Sequence, residues 1–338
     1  MKPTAAVILA AGKSTRMRSD LPKVLHEVCG RPMLSYVIDA CRELGVVRLI
    51  VVIGHRHKLV TETYADAPDL IWVYQAEQRG TGHAVMVCSE ALAHFAGSVL
   101  VIAGDMPLIR SSTLRALVAE HERTGHAVTL ATTVLDNPHG YGRIVRDPHG
   151  NLAAIVEHKD CTAEQLQVRE VNPSYYCFDG ARWWVAVGKL TPANAQGEYY
   201  ITDTVEILRR EGLGAGAIPA VPQEDALGIN SRADLAEVNR VMQDRIQRAW
   251  MEWGVSICDP RTTWIEHGAS IGRETVIAPF SFIASGAVVG ESCRLGPFAY
   301  VRGDEVIPSG AVMGPVTGWS AQGTNGGDIV AGGGKRER

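Results

Sequence analysis

The sequence predicts an α/β fold in two parts: a mostly parallel sheet covered by helices, then a short left-handed parallel β-helix. Three observations predict it. Over the first two thirds, short apolar runs alternate with segments of helical periodicity, the pattern of strands and crossover helices. One long helical stretch, 231–253, interrupts that alternation. From Ile265 onward an aliphatic residue recurs at every sixth position, a period that suits neither an α-helix nor a simple sheet.

Residues 5–8, AAVI, read as a buried strand, and it runs into LAAGKSTRM at 9–17. Small residues at Ala10, Ala11 and Gly12 let backbone approach a ligand closely. Lys13, Arg16 and Lys23 place three cations around that bare backbone, which makes a phosphate cradle at the carboxyl end of a first strand. A Walker loop is excluded because Val7 stands where its first glycine is required, and a dinucleotide fingerprint because only Gly12 of its three glycines is present.

Apolar positions from Met33 to Leu44 have helical spacing, stopped by Gly45. Residues 46–53 form a strand apolar on both faces. A helix-like segment follows, then the strand 70–75. Residues 82–96 read as a helix, 99–105 as a buried strand ending on an acid, and 111–124 as a helix capped by Ser111 or Ser112. Residues 126–135 read as another strand. In such an alternation ligands sit beyond the carboxyl ends of the strands, where the opening loop, Gln75 and Asp105 all fall. The helix 231–253 is capped by Ser231 and ended by Gly254, and connects two domains. In the hexads, Ile265, Ile271, Ile277, Ile283, Val289, Leu295, Val301, Ile307 and Met313 point inward. Small residues follow four places later except at Glu305. Three hexads per turn give about three coils, close to the minimum for stability.

Composition narrows the class. The 338 residues suggest two domains, and 46% hydrophobic with 21% charged residues describe a chain with a sizeable core. A net charge of −4 argues against a dedicated nucleic-acid binder but not against a small anionic substrate. Seven cysteines, odd in number and without C-x-x-C spacing, suggest neither a disulfide framework nor a zinc site. No apolar run is long enough for a signal peptide or a bilayer span, so a cytoplasmic location is expected.

The loop resembles the sugar-phosphate nucleotidyltransferase signature L-x-x-G-x-G-T-R-M-x(4)-L-P-K at Leu9, Gly12, Thr15, Arg16, Met17, Leu21, Pro22 and Lys23, with Ser14 at the second glycine. With QxxxxGT at 75–81, GD at 104–105, VEHKD at 156–160, QGEYYITD at 196–203, GIN at 228–230 and the hexads, residues 5–315 resemble one family. It is the bifunctional N-acetylglucosamine-1-phosphate uridyltransferase and glucosamine-1-phosphate acetyltransferase family. The resemblance implies a Rossmann-like nucleotidyltransferase domain over 1–230 and a shortened β-helix over 255–318, joined by the helix over 231–254; after Gly318 the turn to Gly, Ser and Asn reads as a disordered tail over 319–338. It implies Mg²⁺-dependent transfer of UMP from UTP to N-acetylglucosamine-1-phosphate, a cell-envelope precursor step. Arg16 and Lys23 would be the catalytic cations. Leu9, Ala10, Ala11, Gly12, Gln75, Gly80, Thr81 and Gly104 would bind nucleotide. Gly142, Glu157, Asn172, Tyr200 and Thr202 would bind the sugar, and Asp105 and Asn230 would hold Mg²⁺. A β-helix this short has exposed ends, so a homotrimer through the β-helix, or docking of the coils on the first domain, is expected.

The sequence departs from the family at NPS, 172–174, where NTG is usual, and at Ala103, where many members carry Tyr. Beyond Gly314 the acidic and lysine residues of the acetyltransferase site give way to PVTGW, and no His follows, so acetyl transfer is expected to be absent. Blander roles exist for several residues. Asp105 suits a turn, Glu157 and Lys159 an exposed ion pair, and Asn172 before Pro173 a turn. His55 and His57 suit a loop, and Trp183 and Trp184 suit packing. Two rival functions are the same chemistry on another hexose-1-phosphate and a non-catalytic nucleotide-sugar sensor or scaffold.

Overall fold

A computed structural model of the chain describes residues 2–13 and 15–314. Ser14, the PVTGW stretch and the predicted tail lie outside the described residues. The chain divides into two units, Met1–Arg245 and Ile246–Arg338, with the boundary falling inside the long helix.

The first unit is built on a Rossmann-like sheet. Its strands are β1 (Thr4–Ala10), β2 (Arg48–Ile53), β3 (Leu70–Tyr74), β4 (Ser98–Ala103), β5 (Val128–Val134), β6 (Gly142–Arg146), β7 (Leu152–Val156), β8 (Glu170–Asp179) and β9 (Ala215–Ile218). The spatial order is β9-β5-β8-β4-β1-β2-β3, with β6 and β7 an antiparallel hairpin attached to β8. β1 pairs in parallel with β2 and β4, and β2 with β3. Ala5, Ala6, Val7 and Ile8 are fully buried, as a central strand covered on both faces requires.

One strand runs against this grain. β8 is antiparallel to both β4 and β5, and its pairing with β5 breaks register between Val171 and Tyr175. Pro173 has no N–H to give a ladder, and Ser174 has φ 65°, so the strand bulges there.

The helices are α1 (Met33–Leu44), α2 (His57–Thr63), α3 (Thr81–Met86), α4 (Ser111–Thr124), α5 (Trp183–Val187), α6 (Asp203–Arg210) and α7 (Arg232–Trp253). Gly45 closes α1 at φ 83°, a left-handed cap that glycine adopts without strain. Two expectations need correction. The helix predicted over 82–96 is regular only to Met86; beyond it, i−4 and i−3 bonds mix in a chain of turns to His94, which keeps Cys88 and Leu92 in the core. Neither Ser111 nor Ser112 caps α4. Its N-cap is Arg110, with no side-chain bond, and Ser111 is already helical.

Ser231 does cap α7. Its Oγ accepts from the Asp234 N–H at 3.2 Å, and the Asp234 carboxylate accepts from the Ser231 N–H at 2.8 Å, a reciprocal capping box.

In the second unit, two-residue strands form three parallel sheets. Each strand pairs with the one three hexads further on: Ile265 with Ile283, and Ile283 with Val301. Ile265, Ile277, Ile283 and Val301 are fully buried. Thr275, Ala287 and Cys293 fill the space beside them with no exposure. Large residues would not fit at those turns, which is why the sequence keeps them small.

Candidate active site

The cleft lies where β1, β3 and β4 end. Leu9, Ala10, Ala11, Gly12, Lys23, Gln75, Gly80, Thr81 and Asp105 all line it, and its volume is about 400 Å³. Gly104, predicted to bind nucleotide, is not among the lining residues; it lies between Ala103 and Asp105, which are. The Gly104 N–H donates to the Leu9 carbonyl at 2.9 Å, and a Cβ there would lie 3.0 Å from the same oxygen. A side chain there would push the two strand ends apart by a few tenths of an ångström. Gly80 has φ 104°, and a Cβ on it would stand 2.5 Å from the Tyr199 carbonyl.

Gln75 is buried at the end of β3. Its Nε2 donates to the Gly80 carbonyl at 3.2 Å and lies 3.0 Å from His83 Nδ1. Its side-chain oxygen has no hydrogen-bond partner among the described residues. Thr81 Oγ1 accepts from the Ile201 N–H at 3.1 Å, so the loop at 80–81 and the segment at 200–202 are fastened together.

Charge gathers at one edge of the cleft. Lys23 Nζ donates to the Asp105 carboxylate and, at 2.9 Å, to Asn230 Oδ1. Arg16 Nη2 donates to the same Asn230 oxygen at 2.8 Å. Four residues from three distant parts of the sequence therefore meet at two oxygens. Asn230 is held by its own surroundings: its N–H donates to Asp234 Oδ2 at 2.9 Å, and the Ile229 N–H donates to the Asp105 carbonyl at 3.0 Å. The preceding turn is anchored by Asp225, 1% exposed, which pairs with Arg110 Nε at 2.7 Å and with Arg245. The Tyr141 hydroxyl donates to the Ala226 carbonyl at 2.8 Å.

A hard cation suits this pair of oxygens. Magnesium takes one or two protein oxygens and completes its shell with phosphate and water. Among the described residues no group of three or more His, Cys, Asp or Glu side chains could hold a metal by itself. Any ion here would complete its shell with oxygens from water and a bound ligand.

The predicted sugar residues form a second cluster. Gly142 lies against Glu157, since a Cβ on it would meet Glu157 Oε2 at 3.6 Å. Thr202 Oγ1 donates to Glu157 Oε1 at 3.3 Å. Burial raises the Glu157 carboxyl above its usual range; the Thr202 bond opposes that rise, and Asp160 and Asp203 add to it. Tyr200 accepts from Gln196 Nε2 at 2.7 Å. Asn172 donates to the hydroxyl of Tyr176, which lines the cleft, and its Oδ1 accepts from the Ser174 N–H at 3.0 Å. The turn role is thus realised at Asn172, and one of its amide N–H bonds has no partner among the described residues.

The Glu157–Lys159 ion pair does not form; Lys159 Nζ donates to Gln196 Oε1 at 2.8 Å instead. Trp183 is fully buried and packs edge-on against Trp184 at 4.5 Å, as packing predicts. His57 starts α2 and faces the Tyr74 ring at 4.4 Å.

Ala103 lines the cleft, so that departure bears directly on ligand shape. Sequence reasoning missed Gln78, Ser174, Tyr176, Glu198 and Ile201, which also line it. Tyr176 looks like any core aromatic in the sequence. Ile201 could have been found, because it stands between Tyr200 and Thr202.

The fold and this site define a nucleotidyltransferase. Residues 6–169 match the MobA-like NTP transferase domain family. Over most of its length the chain is similar to the bifunctional protein GlmU of several bacteria. It is 44% identical over 279 residues to the bifunctional protein GlmU of Geotalea daltonii, covering 82% of this chain and 61% of that one. It is 46% identical over 283 residues to that of Heliobacterium modesticaldum, covering 84% and 61%. With that of Thermobifida fusca it shares 45% over 283 residues, covering 82% and 58%. The chain thus spans about three fifths of the length of the curated relatives it matches. A crystal structure of UDP-glucose pyrophosphorylase complexed with UDP-glucose superposes with a TM-score of 0.61 at 16% identity, covering 72% of this chain and all of that one. That likeness is one of fold.

Proposed function

We propose that the protein transfers UMP from UTP to N-acetylglucosamine-1-phosphate, with Mg²⁺, giving UDP-N-acetylglucosamine and pyrophosphate. The observation that carries this reading is the meeting of Asp105, Asn230, Lys23 and Arg16 at the mouth of the cleft.

A sugar-phosphate oxygen attacks the α-phosphorus of UTP in line, the bond to the bridging oxygen breaks, and pyrophosphate leaves with its electron pair. The nucleophile is already an anion near neutral pH, so no general base is required. The work left to the protein is positioning and charge neutralisation. Lys23 and Arg16 neutralise the phosphates. The free oxygen of Gln75 accepts the N3–H of uracil, where cytosine offers only an acceptor. Glu157, Asn172, Gly142, Tyr200 and Thr202 hold the acetamido sugar. Asp105 and Asn230 would hold Mg²⁺, which supplies positive charge to the phosphate oxygens.

The hexad coils serve assembly, as a homotrimer, and acetyl transfer is absent. A cytoplasmic location accords with this. Among the described residues no helix is long and apolar enough to cross a membrane.

The test is pyrophosphate release by the purified chain with UTP and a panel of sugar-1-phosphates. Release should be fastest with the N-acetylglucosamine compound and should stop with EDTA. Equal rates with glucose-1-phosphate would move the assignment to another hexose. Nucleotide binding without any release would make the protein a sensor. Acetylation of glucosamine-1-phosphate from acetyl-CoA would restore the second activity.

A further inference from the structure

Lys23 stands where the metal would have to stand. Its ammonium bonds to the carboxylate of Asp105 and to Asn230 Oδ1, the two oxygens assigned to Mg²⁺. An ammonium at hydrogen-bond distance from both oxygens and a divalent ion at about 2.1 Å from both would lie within a few ångströms of each other, with like charge and no room for solvent between. The two occupants exclude one another.

The surroundings allow one of them to leave. The Lys23 backbone is fixed: it opens a single 3₁₀ turn behind Pro22, with the Leu25 N–H donating to the Pro22 carbonyl at 2.9 Å and the His26 N–H to the Lys23 carbonyl at 3.1 Å. Its four-carbon stem, 12% exposed, carries a compact ammonium that can be re-aimed by rotation about its bonds, unlike a planar guanidinium locked in a fork. Lys23 also lines both the main cleft and a second cleft shared with Lys13, Arg18, Asp20 and His55, so there is open space on either side of the residue.

We propose that Lys23 is a placeholder that closes the metal site until nucleotide arrives. Without nucleotide, its ammonium neutralises Asp105 and keeps Asn230 oriented. The triphosphate then draws the ammonium off and supplies the remaining oxygens for the ion. Metal enters with the nucleotide and not before it. This rests on the uridylyltransferase reading above.

The experiment is Mn²⁺ binding to the full chain without nucleotide, followed by electron paramagnetic resonance. Wild type should bind weakly. Lys23→Met should bind at least tenfold more tightly, and adding Asp105→Ala to it should abolish the gain. Lys23→Gln serves if the methionine variant does not fold. Equal Mn²⁺ affinity in wild type and the Lys23 variants would overturn the proposal. So would a wild-type crystal soaked in MnCl₂ alone with the ion between Asp105 and Asn230 and Lys23 unmoved. If pyrophosphate release is metal-dependent yet the affinities are equal, only the placeholder fails. If release does not occur at all, the reading beneath it fails.

Discussion

Asp105 stands in the turn just beyond β4 at the rim of the cleft, with 27% of its side chain exposed. Its partner Lys23 is 12% exposed and is also held by Asn230, so removal of the carboxylate leaves the ammonium with one hydrogen-bond partner. Asp105→Ala should lower turnover on the order of a hundredfold or more, the scale at which single charge-stabilising groups act. Its thermal midpoint should stay within a few degrees of wild type. Wild-type turnover would place the metal elsewhere. Asp203 makes a different prediction. Burial, with Glu206 and Asp160 nearby, pushes its carboxyl up to about 6. A raised acid binds its proton more firmly in the native state, so stability falls as pH rises from about 4 to about 6 and is level above that. Asp203→Asn should be more stable than wild type at pH 7, with the gap closing below pH 4 in urea titrations. A gap that persists at pH 4 would refute the assignment.

At the scale of the element, the start of α7 does two jobs. The Asp234 carboxylate caps the helix and accepts the N–H of Asn230. Asp234→Ala should lose about 1 kcal/mol of stability as a lost cap. It should also raise the Mg²⁺ concentration needed for half-maximal turnover, because Asn230 is no longer held. Asp234→Glu should recover both, since glutamate is the usual residue at that place in a capping box. Loss of stability without any shift in Mg²⁺ demand would make Asp234 only a cap. The elements also show where the sequence was legible. Ser231 and Gly45 sit at helix ends whose bonding is local, and both were read correctly. The helix after Thr81 was overextended because turns of mixed i−3 and i−4 bonding bury the same apolar positions as a helix does. The antiparallel β8 was not legible, because strand direction is decided by its partners.

At the scale of the whole molecule, the hexads were the most legible feature, because one local rule repeats and each coil meets only its neighbours. The cleft of the first unit is the opposite case. Its lining comes from the ends of β1, β3 and β4, the bulge of β8 and the loop at 198–201. The sugar panel belongs to this scale, because Ala103 and Ser174 enlarge or reshape a wall to which no one element contributes alone. A preference for N-acetylglucosamine-1-phosphate with these two residues in place would mean that Glu157 and Thr202 dominate recognition.

By itself the sequence determined the strand–helix alternation, the hexad coils and the nucleotidyltransferase-like pattern of the loop after β1. These depend on periodicity and on short motifs, which act over a few residues. Only the tertiary structure decided that Lys23 lies between Asp105 and Asn230, that Asn172 is held by Tyr176, and that the Gln75 side-chain oxygen has no hydrogen-bond partner among the described residues. Those facts depend on which distant segments share a sheet edge and which hydrogen bonds their side chains have already made. No pattern along one chain can carry that information, because it belongs to pairs of atoms brought together by folding.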